Sequence, residues 1–145
     1  MKQGWIPSRS PLSLIQEDLW PDEWLILVSC LLLNCTTRKQ VEKVMPEFIL
    51  RWPTPRALLS AEKTRVFGVV ASLGFGRRRV VNLYKMSEAF VEGFVDVREL
   101  PGVGEYAART YEIFCKGDLG DVPPADHSLV KYWNWARNKR KSIWE

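Results

Sequence analysis

Cysteine and histidine, the residues that most often build metal sites, are scarce in this sequence of 145 residues. There are three cysteines and one histidine, and they do not form the two closely spaced ligand pairs of a zinc site. An iron–sulfur cluster needs four thiolates, so the sequence predicts neither such a cluster nor another metal site. Three thiols cannot all pair, which predicts reduced and buried side chains at Cys30, Cys35 and Cys115.

Long apolar runs are also missing. The longest, from Trp24 to Leu33, is shorter than the roughly 20 residues that a membrane helix needs, and it contains Ser29 and Cys30. The first five residues lack the apolar segment of a signal peptide. We therefore expect an intracellular protein that spans no membrane, located in the nucleus if the host is eukaryotic.

Alternating strand patterns, repeats and low-complexity segments are absent as well. Helical periodicity predicts a single all-α domain over residues 1–145, with about eight to ten short helices after an irregular arm at 1–10. The segment 21–33 is apolar on most of its faces, which indicates a central helix. The other predicted helices span 11–19, 37–51, 77–91, 104–116 and 126–138, with two more that begin at Thr54-Pro55 and at Ser60.

The net charge of +4 and the pI of about 9.1 favour a polyanionic partner only slightly, because a basic soluble domain would look the same. Basic residues cluster at 77–79 and at 139–141. Among the basic side chains, Arg79 and Lys131 are the ones that we expect to contact such a partner.

A Leu-Pro-Gly-Val-Gly-Glu-Tyr run is typical of a hairpin between two helices. Gly102 and Gly104 lack the Cβ that would obstruct the turn, and they leave room for another backbone. The amides that follow, around Val103 and Glu105, have no partners at the start of the next helix and suit an anion. We expect that anion to be a phosphate of a DNA backbone.

The hairpin resembles the helix-hairpin-helix of the endonuclease III-like DNA glycosylases, which also have an aspartate about twenty residues further on. Asp126 stands at that distance, in a Pro-Pro-Ala-Asp-His-Ser segment. The resemblance implies that its carboxylate is catalytic and stabilises the positive charge that develops on the sugar as the bond to the base breaks. A purely structural role as an N-terminal helix cap is the alternative.

Nearly the whole chain is similar to one family in that superfamily, the mismatch-specific thymine and uracil glycosylase domain of the methyl-CpG-binding glycosylase. The segments that carry this similarity are 7–11, 14–17, 32–34, 111–115, 126–127 and 131–132. They are more specific than the hairpin, which many DNA-binding proteins share.

By that resemblance, Gln16 would hydrogen-bond a pyrimidine flipped out of the duplex, and Tyr106 would stack on it. Tyr106 occupies the hairpin position where bifunctional relatives carry a nucleophilic lysine. Leu73 would enter the duplex as an apolar wedge. Cys35 stands where the family has an arginine that fills the space left by the base, and Arg38 is the nearest substitute. A surface position for Gln16 and core positions for Tyr106 and Leu73 are the alternatives.

The resemblance thus implies a monofunctional glycosylase, acting as a monomer, that removes thymine or uracil from G·T or G·U mismatches in double-stranded DNA. It implies no cofactor beyond a monovalent cation that hairpin carbonyls could share with a phosphate. Two rival functions stay open at this point. One is a glycosylase for another base, such as adenine, and the other is a helix-hairpin-helix module that binds DNA without catalysis.

Overall fold

The computed structural model describes residues 6–144, with side chains described up to residue 140, and residues 1–5 of the predicted arm lie outside that range. Within it the chain forms eight α-helices and two 3₁₀ helices and no strand, which confirms the all-α prediction. The α-helices are α1 Ile15–Leu19, α2 Glu23–Leu33, α3 Arg38–Arg51, α4 Pro55–Leu59, α5 Lys63–Val70, α6 Gly76–Glu92, α7 Glu105–Cys115 and α8 His127–Trp144. The 3₁₀ helices are Ala71–Leu73 and Val97–Glu99.

Helix α2 runs through the centre of the domain, as its apolar faces predict. Ile26, Leu27, Val28 and Leu32 are fully buried on it. It packs against α1, α3, α6 and α7, so elements from both halves of the chain meet on one helix. The end of α2 lies beside the start of α7, which is the arrangement on which the site depends.

Most helix starts follow from local capping chemistry. Three helices begin at a side-chain cap that accepts a hydrogen bond from a first-turn amide: Asp22 caps α2, Thr37 caps α3 and Thr54 caps α4. Helix α1 starts later than predicted, at Ile15, because the buried carboxylate of Glu17 accepts the amides of Ser10 and Leu14 and folds the preceding segment into turns.

Two further boundaries differ from the prediction. Helix α5 begins at Lys63 rather than Ser60, since the Ser60 amide still bonds back to the Arg56 carbonyl in the last turn of α4. Helix α8 continues to Trp144 instead of ending near Asn138. No helix among the described residues is long and apolar enough to cross a membrane.

The loop before α8 is fastened to the helices on either side. Arg109 on α7 donates to the carbonyls of Leu119 and Val122 at 2.9 and 2.8 Å. The indole of Trp133 on α8 donates to the same Leu119 carbonyl at 2.7 Å. These bonds fix where α8 begins, and therefore where Asp126 stands.

Candidate active site

A cavity of about 360 Å³ lies where α1, the end of α2, the start of α7 and the start of α8 meet. Gln16, Tyr106 and Asp126, predicted from distant parts of the sequence, all line it. The other lining residues are Leu14, Ile15, Leu33, Asn34, Cys35, Thr36, Arg38, Ser128 and Leu129. Tyr106 and Asp126 also border a second cavity of about 240 Å³ beside the 122–125 loop, so they form the wall between the two.

Gln16 is 3% exposed, which rules out the alternative that it is a surface residue. Its Nε2 lies 3.2 Å from the Tyr106 hydroxyl and 3.3 Å from Oγ of Ser29. A weaker contact joins Nε2 to the Cys30 sulfur at 3.8 Å. The amide is therefore held from its nitrogen end, at the bottom of the cavity.

Tyr106 is half-buried between the two cavities, with its hydroxyl against Gln16. Burial is the main cause that raises the pKa of Tyr106 far above its ordinary value, and the neighbouring Cys30 and Asp126 raise it further. The phenol is consequently a weaker acid than an ordinary tyrosine, and it offers a ring face and a neutral hydroxyl.

Asp126 caps a helix, as the structural alternative predicts, and it also lines the cavity. Its Oδ2 accepts the amides of Ser128 and Leu129 at 3.1 and 2.9 Å, so it caps α8. Both capping bonds fall on the same oxygen, and Asp126 lines the cavity. The cap thus fixes the carboxylate in place while Oδ1 keeps no amide partner from the helix.

The hairpin between the 97–99 turn and α7 has the predicted form. Gly102 has φ of +80°, and a Cβ there would lie 3.4 Å from Asn82 and Leu31 side-chain atoms, so both conformation and space favour glycine. Gly104 is the N-cap of α7 and provides no side-chain cap. The first-turn amides of α7 are consequently left for an external acceptor.

Val103 and Glu105 complete the hairpin. Val103 donates its amide to the Leu100 carbonyl at 3.1 Å and packs partly buried against the core, so this amide is not free for an anion and the prediction is wrong for Val103. Glu105 accepts two bonds from Arg98, at 2.8 and 3.2 Å, and Arg98 also pairs with Glu112. The Arg98 bonds lower the pKa of Glu105, so this carboxylate stays charged and holds the hairpin against α7.

Cys35 and the segment after Leu73 meet at a smaller cleft of about 80 Å³, next to the first cavity. Cys35 is exposed, which contradicts the prediction of a buried thiol, whereas Cys30 and Cys115 are buried. Leu73 is only 6% exposed and belongs to the core, so it cannot act as a wedge without leaving it. Phe75, two residues further on, is 67% exposed and lines the cleft instead.

The backbone conformation of this segment explains why Leu73, which the resemblance indicated, is buried while Phe75 is exposed. The 3₁₀ turn places Leu73 inward, and Phe75 then takes a left-handed backbone with φ of +52°. A glycine on each side, Gly74 and Gly76, makes this tight exposed turn possible. The Gly-Phe-Gly pattern was the available signal for an exposed aromatic tip.

The prediction that Arg79 contacts DNA is wrong, because its side chain is buried. Its guanidinium donates to five carbonyls, at distances of 2.7 to 3.3 Å: those of Leu31, Leu32, Asn34, Leu73 and Gly74. These carbonyls include the unpaired end of α2. Arg79 therefore joins the Cys35 turn to the Phe75 turn, while its neighbour Arg78 is exposed and lines the cleft.

The two remaining basic candidates, Lys131 and Arg38, are not available at the base cavity. Lys131 is exposed on α8 and does not line the cavity that contains Asp126. Arg38 lines the cavity but is already engaged, since it donates to the carbonyls of Leu12 and Ser13 and pairs with Glu42 at 2.6 Å. Arg38 is therefore a poor substitute for an arginine at position 35.

The fold and this arrangement define the class of protein. The chain belongs to the HhH-GPD superfamily of base excision DNA repair proteins, whose family model matches residues 28–143. Among relatives, it is 36% identical over 138 residues to a methyl-CpG-binding domain protein 4-like protein from Arabidopsis thaliana, covering 94% of this chain and 31% of that protein. It is 40% identical over 118 residues to a thymine-DNA glycosylase from Aeropyrum pernix, covering 76% of this chain and 52% of that protein.

The chain thus spans about a third to a half of the length of these relatives. Solved structures agree on the fold. A thermostable thymine-DNA glycosylase superposes with a TM-score of 0.65 at 21% identity, over 85% of this chain and 63% of the other. A non-covalent endonuclease III–DNA complex gives a TM-score of 0.66 at 19% identity, over 77% and 59% of the two chains. The endonuclease III-like helix-hairpin-helix fold is thereby confirmed.

Proposed function

We propose that this domain is a monofunctional DNA glycosylase that removes thymine or uracil mispaired with guanine and leaves an abasic site. The observation that carries the proposal is the convergence of Gln16, Tyr106 and Asp126 on one cavity of about 360 Å³. A pyrimidine extruded from a duplex needs a stacking surface, an amide for its polar edge and a carboxylate beside its sugar. The three side chains supply these groups.

Asp126 is the proposed catalytic carboxylate. As the bond between base and sugar breaks, positive charge builds on the sugar, and a fixed carboxylate stabilises that charge and orients the attacking water. Because Oδ2 is held by two amides of α8, the side chain does not have to be reoriented during the reaction. A preorganised charge of this kind supplies a large share of a typical rate enhancement.

Duplex DNA would lie across the hairpin and the cleft that Cys35 and Phe75 line. The uncapped first-turn amides of α7 suit a backbone phosphate. Phe75 is the exposed apolar group placed to enter the base stack when the pyrimidine leaves it. Cys35 borders both the cleft and the base cavity, so its short uncharged side chain would leave the vacated space poorly filled.

The absence of a strand-cleavage step follows from the same residues. A lyase reaction needs an unprotonated amine at the sugar. Tyr106 stands at the hairpin position that would supply it, and a phenol cannot form a Schiff base. Lys131 is the lysine closest to Asp126 in sequence, but it does not line the base cavity.

Single-turnover excision assays test this proposal with duplexes that carry T, U or A opposite G. We expect T and U to be released and the product strand to stay intact until it is treated with alkali. Borohydride should trap no protein–DNA adduct. Release of adenine alone would favour the rival glycosylase, and salt-dependent binding without release of any base would favour a non-catalytic module. A trapped adduct would show that the enzyme is bifunctional.

A further inference from the structure

We propose that Ser29 is a positioning residue that fixes the direction of the Gln16 amide, so that residue 16 presents a hydrogen-bond acceptor to the base. The cavity would then select bases that carry a ring N–H, as thymine and uracil do at N3. This inference rests on the proposed function, which it deepens by assigning a cause to the choice of base. Ser29 lies on α2, is fully buried and is outside the motifs that carry the family resemblance.

The hydroxyl of Ser29 has a single proton, and the neighbouring backbone determines which group receives it. Ser29 Oγ lies 2.6 Å from the Ile26 carbonyl oxygen, which can only accept. The hydroxyl must therefore donate its proton to Ile26, and toward any other neighbour Ser29 can act only as an acceptor. No such constraint exists for an alanine or an apolar residue at this position.

The acceptor at Ser29 determines the orientation of the neighbouring Gln16 amide. The oxygen and nitrogen of an amide are hard to distinguish by shape, but the atom that faces an obligate acceptor must be the donor, Nε2. Nε2 lies 3.3 Å from Ser29 Oγ and 3.2 Å from the Tyr106 hydroxyl, so both of its protons have partners. A flipped amide would place Oε1 against the lone pairs of Ser29, which is unfavourable in a buried site.

The other end of the Gln16 amide is its oxygen, Oε1. Oε1 of Gln16 has no hydrogen-bond partner among the described residues, and it is not among their buried unpartnered atoms, so it is open to the cavity that Gln16 lines. An acceptor without a partner at this depth suits a ligand that brings a donor. Thymine and uracil bring N3–H, whereas cytosine has an acceptor at N3 and would leave two acceptors facing each other.

The test compares uracil with N3-methyluracil, in which a methyl group replaces the N3 proton and both carbonyls are kept, each opposite guanine in the same duplex. Single-turnover excision rates give one ratio for each protein variant. In the parent protein we expect the loss of N3–H to slow excision by about tenfold or more, because a polar group of the site is left without a partner. In Ser29→Ala both amide orientations become accessible, and this ratio should fall by about fivefold or more.

Ser87→Ala is the matched control. Ser87 is also fully buried and accepts one hydrogen bond, from the Trp24 indole at 2.9 Å, but it does not line the base cavity. It should lower the melting temperature comparably while leaving the ratio of the two rates at the parent value. Intrinsic differences between the two bases cancel, because only the change in the ratio is compared. Ser29→Cys, which keeps the volume but accepts hydrogen bonds weakly, replaces Ser29→Ala if the latter does not fold.

Any Ser29 variant that folds and excises uracil but keeps the parent ratio overturns this inference. The proposed function fails in a different way, by the absence of uracil and thymine excision in the parent protein itself. A fall of the ratio in both Ser29→Ala and Ser87→Ala would also overturn the inference, because it would show a general loosening of the site.

Discussion

Cys35 and Phe75 line the same cleft, and both have a left-handed backbone, with φ of 59° and 52°. Such a conformation is uncommon for residues other than glycine, and it costs about 1 kcal/mol or more. The buried guanidinium of Arg79 bonds to carbonyls of both turns and so holds them at a fixed separation. The two residues proposed to face the distorted duplex are thus positioned by one buried side chain.

We expect Asp126→Asn to reduce the excision rate of thymine and uracil by about a hundredfold or more, since the charge that stabilises the sugar cation is lost. Asparagine is also a good helix cap, so the melting temperature should change little. Single-turnover kinetics and thermal unfolding measure the two effects. Asp22→Asn makes the same change at the cap of α2, outside the base cavity, and should keep the parent rate. Near-parent excision by Asp126→Asn would contradict the assignment.

Replacing Phe75 and Leu73 should separate the roles of these two residues. Phe75→Ala removes an exposed ring, so we expect unchanged stability but weaker binding to a mismatch duplex and slower excision. Leu73→Ala creates a cavity in the core and should cost about 2–5 kcal/mol of unfolding free energy. Urea denaturation and fluorescence anisotropy give the two readouts. If Phe75→Ala lowers stability and leaves binding intact, Phe75 is not the wedge.

Cys35→Arg should raise the affinity for a duplex that contains an abasic site opposite guanine. The long cationic side chain would fill the vacated space and face the phosphates, which a thiol cannot do. Cys35→Met, of similar length but uncharged, shows how much of the gain comes from volume alone. Anisotropy titrations at two salt concentrations measure the effect, and an unchanged affinity for Cys35→Arg would mean that the vacated space is already filled by another group.

Arg79→Met should lower the free energy of unfolding by about 3 kcal/mol, because it leaves several buried carbonyls without donors. Arg78→Met, at the exposed neighbour, should change stability by no more than about 0.5 kcal/mol. The opposite order is expected for the salt dependence of DNA binding: if the exposed charge of Arg78 neutralises one phosphate, its loss should reduce the slope by about 1. Equal destabilisation by both variants would contradict the buried role of Arg79.

Stability should decrease as the pH rises above about 9. Burial raises the pKa of the Cys30 thiol from 9.0 to about 11, and it also raises the pKa values of Tyr106 and Tyr132. The folded state thus holds these protons more tightly than the unfolded chain does. The resulting stabilisation is complete below the ordinary pKa values and is lost as the pH rises from these values through the raised ones. Melting temperatures between pH 8 and 11 test this, with Cys30→Ala expected to flatten part of the decline and Cys35→Ser, at an exposed thiol, to leave it unchanged.

The sequence by itself determined the helical class, most helix starts and the hairpin. These depend on neighbours in the chain: a capping side chain a few residues before its amide, or two glycines in one turn. Local patterns indicate Asp126 only as a helix cap, and its distance from the hairpin gains meaning from the family resemblance. The resemblance added Gln16 and Tyr106, which sequence patterns alone would have assigned to a surface and a core.

Only the tertiary structure decided which side chains face inward at the ends of elements. Leu73 and Phe75 lie two residues apart in the sequence. The left-handed backbone at Phe75 leaves its side chain exposed, whereas the side chain of Leu73 is buried. Arg79 looked like part of a basic cluster, yet the unpaired carbonyls at the end of a helix distant in sequence bind it in the interior. Ser29 gave no local signal at all, because its effect on Gln16 depends on a contact between two helices and on which partner receives one proton.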